Sequence, residues 1–300
     1  MQIGIDLGAT KIEYVLLDNK NKEITRNRIS TPADYNKTID AIISIIKKLE
    51  NKDNNNLNVG ICHPGATDKT TGLIKNAHNS QWLNQKNIVK DLKKKISNNI
   101  YSENDANCFC LSEAYDGSAS HYETVFGIII GSGCGGGLVI NKKIVTGSNG
   151  LGGEWSLNQM PDLDIPNLKF ENKLDFSNRI EGYLSGKSIE KNFKIKFKKD
   201  LTAKEIFSKY RKNDNEAKNF INDYKDKLAR SLIIIITTID PEAIVFGGGI
   251  SNEIDFLDEI KLLTSKLINE PNLKTVFLKP LYGDASGVRG AALLGRDNFI

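Results

Sequence analysis

No stretch of this chain is apolar for long enough to cross a membrane. The most apolar run, Leu232 to Ile236, is bracketed by Arg230 and Asp240 and reads as a buried helix. No charge of one sign dominates either. The 41 basic and 37 acidic residues leave a net charge of +4, too small an excess to argue for a nucleic-acid partner. Lysine-rich segments such as Lys90 to Lys95 and Lys191 to Lys199 read as solvated helix faces. Cysteine is scarce, with four residues at 62, 108, 110 and 134, and a lone C-x-C is not a zinc pattern. Free thiols in a cytoplasmic protein are the reading this supports. Met1 leads directly into a strand, with no basic leader and no apolar signal segment. Low-complexity tracts are missing, and so is the G-x-x-x-x-G-K-[ST] pattern of an ordinary P-loop.

What is present is a duplication. Residues 3 to 24, IGIDLGATKIEYVLLDNKNKEI, and residues 126 to 145, FGIIIGSGCGGGLVINKKIV, share one layout. Each has an apolar strand, a glycine-bearing turn, a second apolar strand and a polar turn with Asn and Lys. Three strands are expected over 2–30, a helix over 34–50, a strand over 58–62, a loop-rich stretch over 66–85, and then helix, strand and helix up to 116. In the second half, strands are expected at 123–131, 136–141 and 143–146. An irregular insert then covers about 147–180. Helices follow at 180–193, 202–212 and 214–239, the last ended by Pro241. A strand at 243–246, a helix at 253–268, a strand at 275–278 and a closing helix at 286–296 complete the chain. Both halves therefore read βββ-α-β-α-β-α, a mixed sheet with helices on its faces. The expected lobes are 1–117 plus 286–300, and 118–285, with a ligand cleft between them.

Gly131-Ser132-Gly133-Cys134-Gly135-Gly136 fits G-x-G-x-x-G. It runs into Leu138-Val139-Ile140 and not into a helix, so the dinucleotide-binding reading is rejected. Glycines in such number are useful where backbone N–H groups approach an anion, with Ser132 adding a hydroxyl; the alternative is a glycine-rich bulge that only twists the sheet. Asp6-Leu7-Gly8-Ala9-Thr10-Lys11 occupies the equivalent turn of the first half. An acid at the end of an apolar strand is costly unless it is paired or serves a metal, which makes Asp6 a candidate to hold Mg²⁺ through water. Thr10 and Lys11 would address phosphate oxygens, although Lys11 also fits an ordinary surface position.

The motifs DLGATK (6–11), HPGATD (63–68), NDANC (104–108), GSGCGGG (131–137), NGLGGE (149–154), FGGGIS (246–251) and SGVRGAALL (286–294) together resemble the ROK family of sugar kinases. KNAHNSQWLN (75–84) and NGLGGEW (149–155) look most like its fructokinase and mannokinase branch. The resemblance implies a duplicated ribonuclease H-like, actin-like ATPase fold. It also implies transfer of the γ-phosphoryl group of ATP to a hexose hydroxyl, with fructose or mannose as first expectation. Glucose or N-acetylglucosamine phosphorylation is the alternative, as is a sugar-binding protein without turnover. By resemblance, Asp105 is the general base; the other reading of Asp105 is a helix N-cap. Gly65, Asn79, Asn104, Asp105, Glu154 and Glu181 (in IEGYLSG) face the sugar. Asp6, Gly8, Thr10, Lys11, Gly131, Ser132, Gly133, Gly135, Gly136, Gly248 and Gly249 serve the nucleotide and its Mg²⁺. A homodimer is expected, with a sugar and ATP as its small-molecule partners.

The sequence departs from the family at the positions of its zinc ligands. The usual histidine three residues after the position of Glu154 is Leu157 here, and the cysteines that precede the position of Glu181 are missing from 172–180. No zinc is expected. A structural zinc supplies about 10–16 kcal/mol to its local fold. Packing of Leu157, Leu174, Phe176 and Ile180 is expected to stand in for it. His63 is the nearest histidine to the sugar motif, while His78 and His121 read as surface residues.

Overall fold

Residues 2–30 form three antiparallel strands, β1 (Gln2–Leu7), β2 (Lys11–Leu17) and β3 (Glu23–Ser30). The structure is a computed structural model that describes residues 1–50, 56–161 and 178–296. β1 and β2 are buried almost throughout, whereas β3 is largely exposed, as the outer strand of a sheet is. Helix α1 (Tyr35–Leu49) starts at Asp34, whose carboxylate accepts from Lys37 N at 2.9 Å. Its isoleucines at 39, 42, 45 and 46 fall on one buried face. β4 (Asn58–His63) runs parallel to β1. The stretch expected as loop holds a small hairpin, β5 (Ala66–Thr67) with β6 (Ile74–Lys75), and a 3₁₀ turn at Gln81–Leu83. Helix α2 (Ile88–Lys93), β7 (Ile100–Asn104) parallel to β4, and α3 (Asp105–Tyr115) complete the first half.

The second half carries β8 (Thr124–Ile130), β9 (Cys134–Ile140) and β10 (Lys143–Ile144). Next come α4 (Glu181–Leu184), α5 (Gly186–Phe197), α6 (Ala203–Arg211) and α7 (Asn215–Ile239). It ends with β11 (Ala243–Gly247), α8 (Leu257–Leu267), β12 (Val276–Leu278) and α9 (Ser286–Leu294). The two five-stranded sheets have the orders β3-β2-β1-β4-β7 and β10-β9-β8-β11-β12. Leaving the small hairpin aside, each half orders its strands third, second, first, fourth, fifth, so the duplication seen in the sequence extends to topology.

Several expectations are corrected. The helix expected over 180–193 is two helices. Ser185 is extended between them (ψ 154°) and caps α5 by accepting from Ser188 N at 3.3 Å. The helix expected from 253 starts at Leu257. α7, by contrast, stops where expected, just before Pro241, with Asp240 in the left-handed region (φ 51°) and its N–H returning to Ile236 O. Of the four side chains expected to pack in place of zinc, Ile180 is buried, Leu157 is 39% exposed, and Leu174 and Phe176 lie outside the described residues.

The chain divides into two compact units. One contains Met1–Gly127, Gly137–Gly153 and Pro280–Ile300. Here α9 lies so close to β1 and β4 that a Cβ at Gly4 would come 2.2 Å from Val288 O, and one at Gly60 1.7 Å from Ala291 O. The other unit contains Ile128–Gly136 and Glu154–Lys279. Its longest element, α7, buries Phe220, Ile221, Tyr224, Leu228, Leu232 and Ile235.

Candidate active site

The N-terminus of α3 carries a cluster of hydrogen-bonded polar side chains. Asn104 ends β7 and is the N-cap, accepting at Oδ1 from Ala106 N (2.9 Å) and Asn107 N (3.2 Å). Its Nδ2 donates to Gly65 O (3.0 Å) and Asp105 Oδ1 (2.9 Å). All four hydrogen-bonding positions of Asn104 are thus used within the protein. Asp105 is therefore not the cap but the first helical residue. Its Oδ1 accepts from Asn104 and from Ala106 N at 2.9 Å, and no other described residue donates to Oδ2. Burial raises the Asp105 carboxyl above its ordinary value, against the lowering effect of these hydrogen bonds. Beneath the cap, buried Glu103 accepts from Asn104 N (2.7 Å) and Asn107 Nδ2 (3.1 Å).

Gly65, whose carbonyl receives Asn104, sits at φ +82°, and a Cβ there would lie 2.5 Å from Lys75 O. His63 does not reach outward. It is fully buried, its Nδ1–H donates to Pro64 O (3.1 Å), and its Nε2 accepts from the Thr67 hydroxyl (3.1 Å). Burial lowers its value to about 4, so it is a neutral brace for the 63–67 turn. His78 and His121 are exposed, as expected of surface residues. Asn79 is exposed, and no hydrogen bond ties its side chain to the Asn104 cluster.

Asp6 lies near the end of β1, opposite Glu13 on β2 and Cys62 on β4. A Cβ added at Gly287 would stand 3.3 Å from Asp6 Oδ2. Burial first, and then the neighbouring charge of Asp105, push Asp6 up to about 7; the Cys62 thiol opposes them. Among the described residues no Lys or Arg forms an ion pair with Asp6. Arg28 exerts only a minor opposing charge on this acid. No group of three or more His, Cys, Asp or Glu side chains among the described residues could hold a metal directly, so Asp6 fits a divalent cation held through water. The turn after it closes on itself: Gly8 N donates to Lys11 O (3.0 Å), and Thr31 ties to Gly8 O (2.8 Å) and Thr10 O (3.0 Å). Thr10 and Lys11 are exposed.

The second glycine turn joins β8 to β9, as the rejection of a dinucleotide fold required. Its glycines have different uses. A Cβ at Gly137 would meet the backbone at Ala106 O (2.6 Å), so this glycine serves close packing, whereas one at Gly133 would meet only the movable end of Glu181, Oε1 at 2.6 Å. Gly131 has open space where a Cβ would be, and so does Gly249. Gly248 adopts φ +87° against Ile130 O, and Ile250 N donates to the same carbonyl (2.9 Å). Glu181 Oε1 accepts from Cys134 N at 3.3 Å. Next to half-buried Glu154, Trp155 Nε1 donates to Gly135 O and Ser156 Oγ to Cys134 O, both at 2.9 Å. Glu181, Trp155 and Ser156 thus join the second turn in one network, and Glu154 is the residue before Trp155. Trp155 appeared in the sequence only as the last residue of NGLGGEW, and Ser156 carried no signal beyond adjacency to it.

The sequence model of the ROK family matches residues 2–298. The chain belongs to the ROK family. It is 36% identical to the N-acetyl-D-glucosamine kinase of Mannheimia succiniciproducens over 303 residues, covering 98% of this chain and 99% of that protein. It is 34% identical to the enzyme of the same name from Haemophilus influenzae, with the same coverage. Among solved structures, the ROK hexokinase of Thermus thermophilus superposes with a TM-score of 0.84 at 21% identity, over 98% of this chain and 97% of that one. The ROK glucokinase of Streptomyces griseus, solved with glucose and AMPPNP, gives 0.77 at 23% identity, over 98% and 99%. The fold is therefore that of the ROK kinases, the duplicated actin-like ATPase fold expected from the sequence.

Proposed function

We propose that this ROK protein is an ATP-dependent sugar kinase whose acceptor is N-acetylglucosamine. The observation that carries the kinase reading is the state of Asp105. One oxygen is locked by Asn104 and Ala106 and the other takes no bond from a described residue, on a carboxyl made more basic by burial. Such a group suits a general base: it takes the proton of the sugar hydroxyl as that oxygen bonds to the γ-phosphorus and the bond to the β-phosphate oxygen breaks, releasing ADP. Positioned bases of this kind contribute about 10²–10⁴-fold. The sugar choice rests on the relatives, which are named N-acetylglucosamine kinases and favour the second expectation over fructose or mannose.

Gly65, Asn79, Asn104, Glu154 and Glu181 are proposed to contact the sugar. For Asn104 this requires giving up one of its present bonds, so its main work is to orient Asp105. Gly8, Thr10, Lys11, Gly131, Ser132, Gly133, Gly135 and Gly136 are proposed to serve the phosphates, and Gly248 and Gly249 the adenosine. Asp6 would hold Mg²⁺ through water. When bound, the ion neutralises charge on the triphosphate. The lobes are proposed as 1–117 with 286–300, carrying Asp6 and the base, and 118–285, carrying the second turn and the adenosine contacts. A coupled ADP-release assay over N-acetylglucosamine, glucose, fructose and mannose tests this, with Asp105→Asn as control. N-acetylglucosamine should give the highest kcat/KM, and the control should lose at least about 100-fold. Higher values for fructose or mannose would overturn the sugar choice. No sugar exceeding the control would overturn the kinase reading.

A further inference from the structure

The turn at Gly131–Gly133 and the opening residues of β9, Cys134–Gly136, hold four glycines in six positions. Backbone N–H groups aid an anion only when they are already oriented, and glycine-rich chain is the least able to orient itself. Within the turn one backbone bond is present, Gly131 N to Gly133 O at 2.9 Å. The side-chain holds come from outside, and one of them is Glu181, whose Oε1 accepts from Cys134 N at 3.3 Å. Ser156, 1% exposed, donates its hydroxyl to Cys134 O, and Trp155, 4% exposed, donates its indole N–H to Gly135 O. Two successive carbonyls are thereby drawn to one short 3₁₀ turn, Trp155–Leu157. The donors are buried, so water competes little for the carbonyls they hold. The same 3₁₀ turn begins immediately after Glu154.

We infer that Trp155 and Ser156 are positioning residues for the nucleotide phosphates. They fix the peptide planes of 134 and 135, and through them the N–H directions of the turn, while tying the turn to the segment that bears Glu154. The inference rests on reading 131–136 as a phosphate site, and it concerns binding before any chemistry. Its consequence is that a change at either residue weakens the nucleotide even when no sugar is present.

The test is titration calorimetry of the full chain with Mg-AMPPNP in the absence of sugar, for the wild type, Ser156→Ala and Trp155→Phe, each with a thermal midpoint. Loss of one neutral hydrogen bond corresponds to roughly a five- to tenfold rise in Kd. Both variants are expected to show it, with folded midpoints and with a matching rise in KM for ATP in the coupled assay. A purely structural role would lower the midpoint and leave the nucleotide Kd of folded protein alone. Nucleotide affinities within about twofold of wild type in both variants would overturn the inference. Should one variant not fold, the other decides. A wild type that binds no Mg-AMPPNP overturns both this inference and the phosphate reading. A wild type that binds it normally but phosphorylates no sugar overturns only the proposed activity.

Discussion

Asp6 shows how one side chain ties stability to function. Its value in the folded protein is about 7 against an ordinary 3.8. A carboxyl raised by folding binds its proton more tightly in the folded chain. Below about pH 4 both states keep the proton and the group is neutral to stability. Between about pH 4 and 7 only the unfolded chain releases it, so stability falls as pH rises; above that range the full penalty, up to about 4 kcal/mol, is in place. Asp6→Asn should therefore be more stable than wild type at pH 8 in EDTA, nearly equal to it at pH 4, and inactive. Urea unfolding at the two pH values reads this out, and an equal gain at both would reject the account. The sequence displayed Asp6, Asp105 and Asn104 as chemistry-bearing residues. It did not tell cap from base, because two adjacent polar residues at a helix start differ only in which backbone N–H each side chain meets. Nor did it reveal that His63 is a brace, since burial on all sides is a property of the packed chain.

At the scale of elements, α3 is the part that must not move. Its first residue is the proposed base, and its side chains from Ala106 to Ala114 are all buried. Neighbours approach it through glycine: a Cβ at Gly127 would stand 2.8 Å from Cys110 Cβ, and one at Gly290 would stand 1.8 Å from Cys108 O. At its far end Glu113 accepts from Ser118 N (2.9 Å), Leu281 N (2.9 Å), Tyr282 N (3.2 Å) and the Ser286 hydroxyl (2.7 Å). Gly290→Ala confronts a backbone oxygen and not a flexible side chain. It should cost about 3 kcal/mol or more and lower the thermal midpoint by about 5–10 °C. A midpoint within 2 °C of wild type, by calorimetry, would show that α9 can shift freely. The existence of α3 was legible from its start signal and length. Its glycine contacts were not, because they join residues far apart in sequence. Strand order was legible in a different way: the repeated hairpin implied that whatever arrangement one half took, the other would share it. The break at Ser185 was missed because a capping serine between two apolar stretches is also compatible with an unbroken helix.

Over the whole molecule, the larger features were those the sequence carried twice. Two turns, two meanders and two runs of alternating helix and strand gave the class of fold, and the motifs gave the family. The acceptor sugar was read less well, since the segments that suggested fructose or mannose specify loops whose shape depends on distant packing. Removal of residues 280–300 should strip α9 from the face of β1 and β4 and leave Glu113 without three of its four donors. The shortened chain is expected in the insoluble fraction on expression, and recovery of a soluble protein with a cooperative thermal transition would contradict this. That dependence bears on biosynthesis. A ribosome delivers the sheet of β1 and β4 well before α9, the segment that covers it, with all of 154–279 made in between. The nascent N-terminal portion must therefore wait, partly uncovered, until α9 has been made.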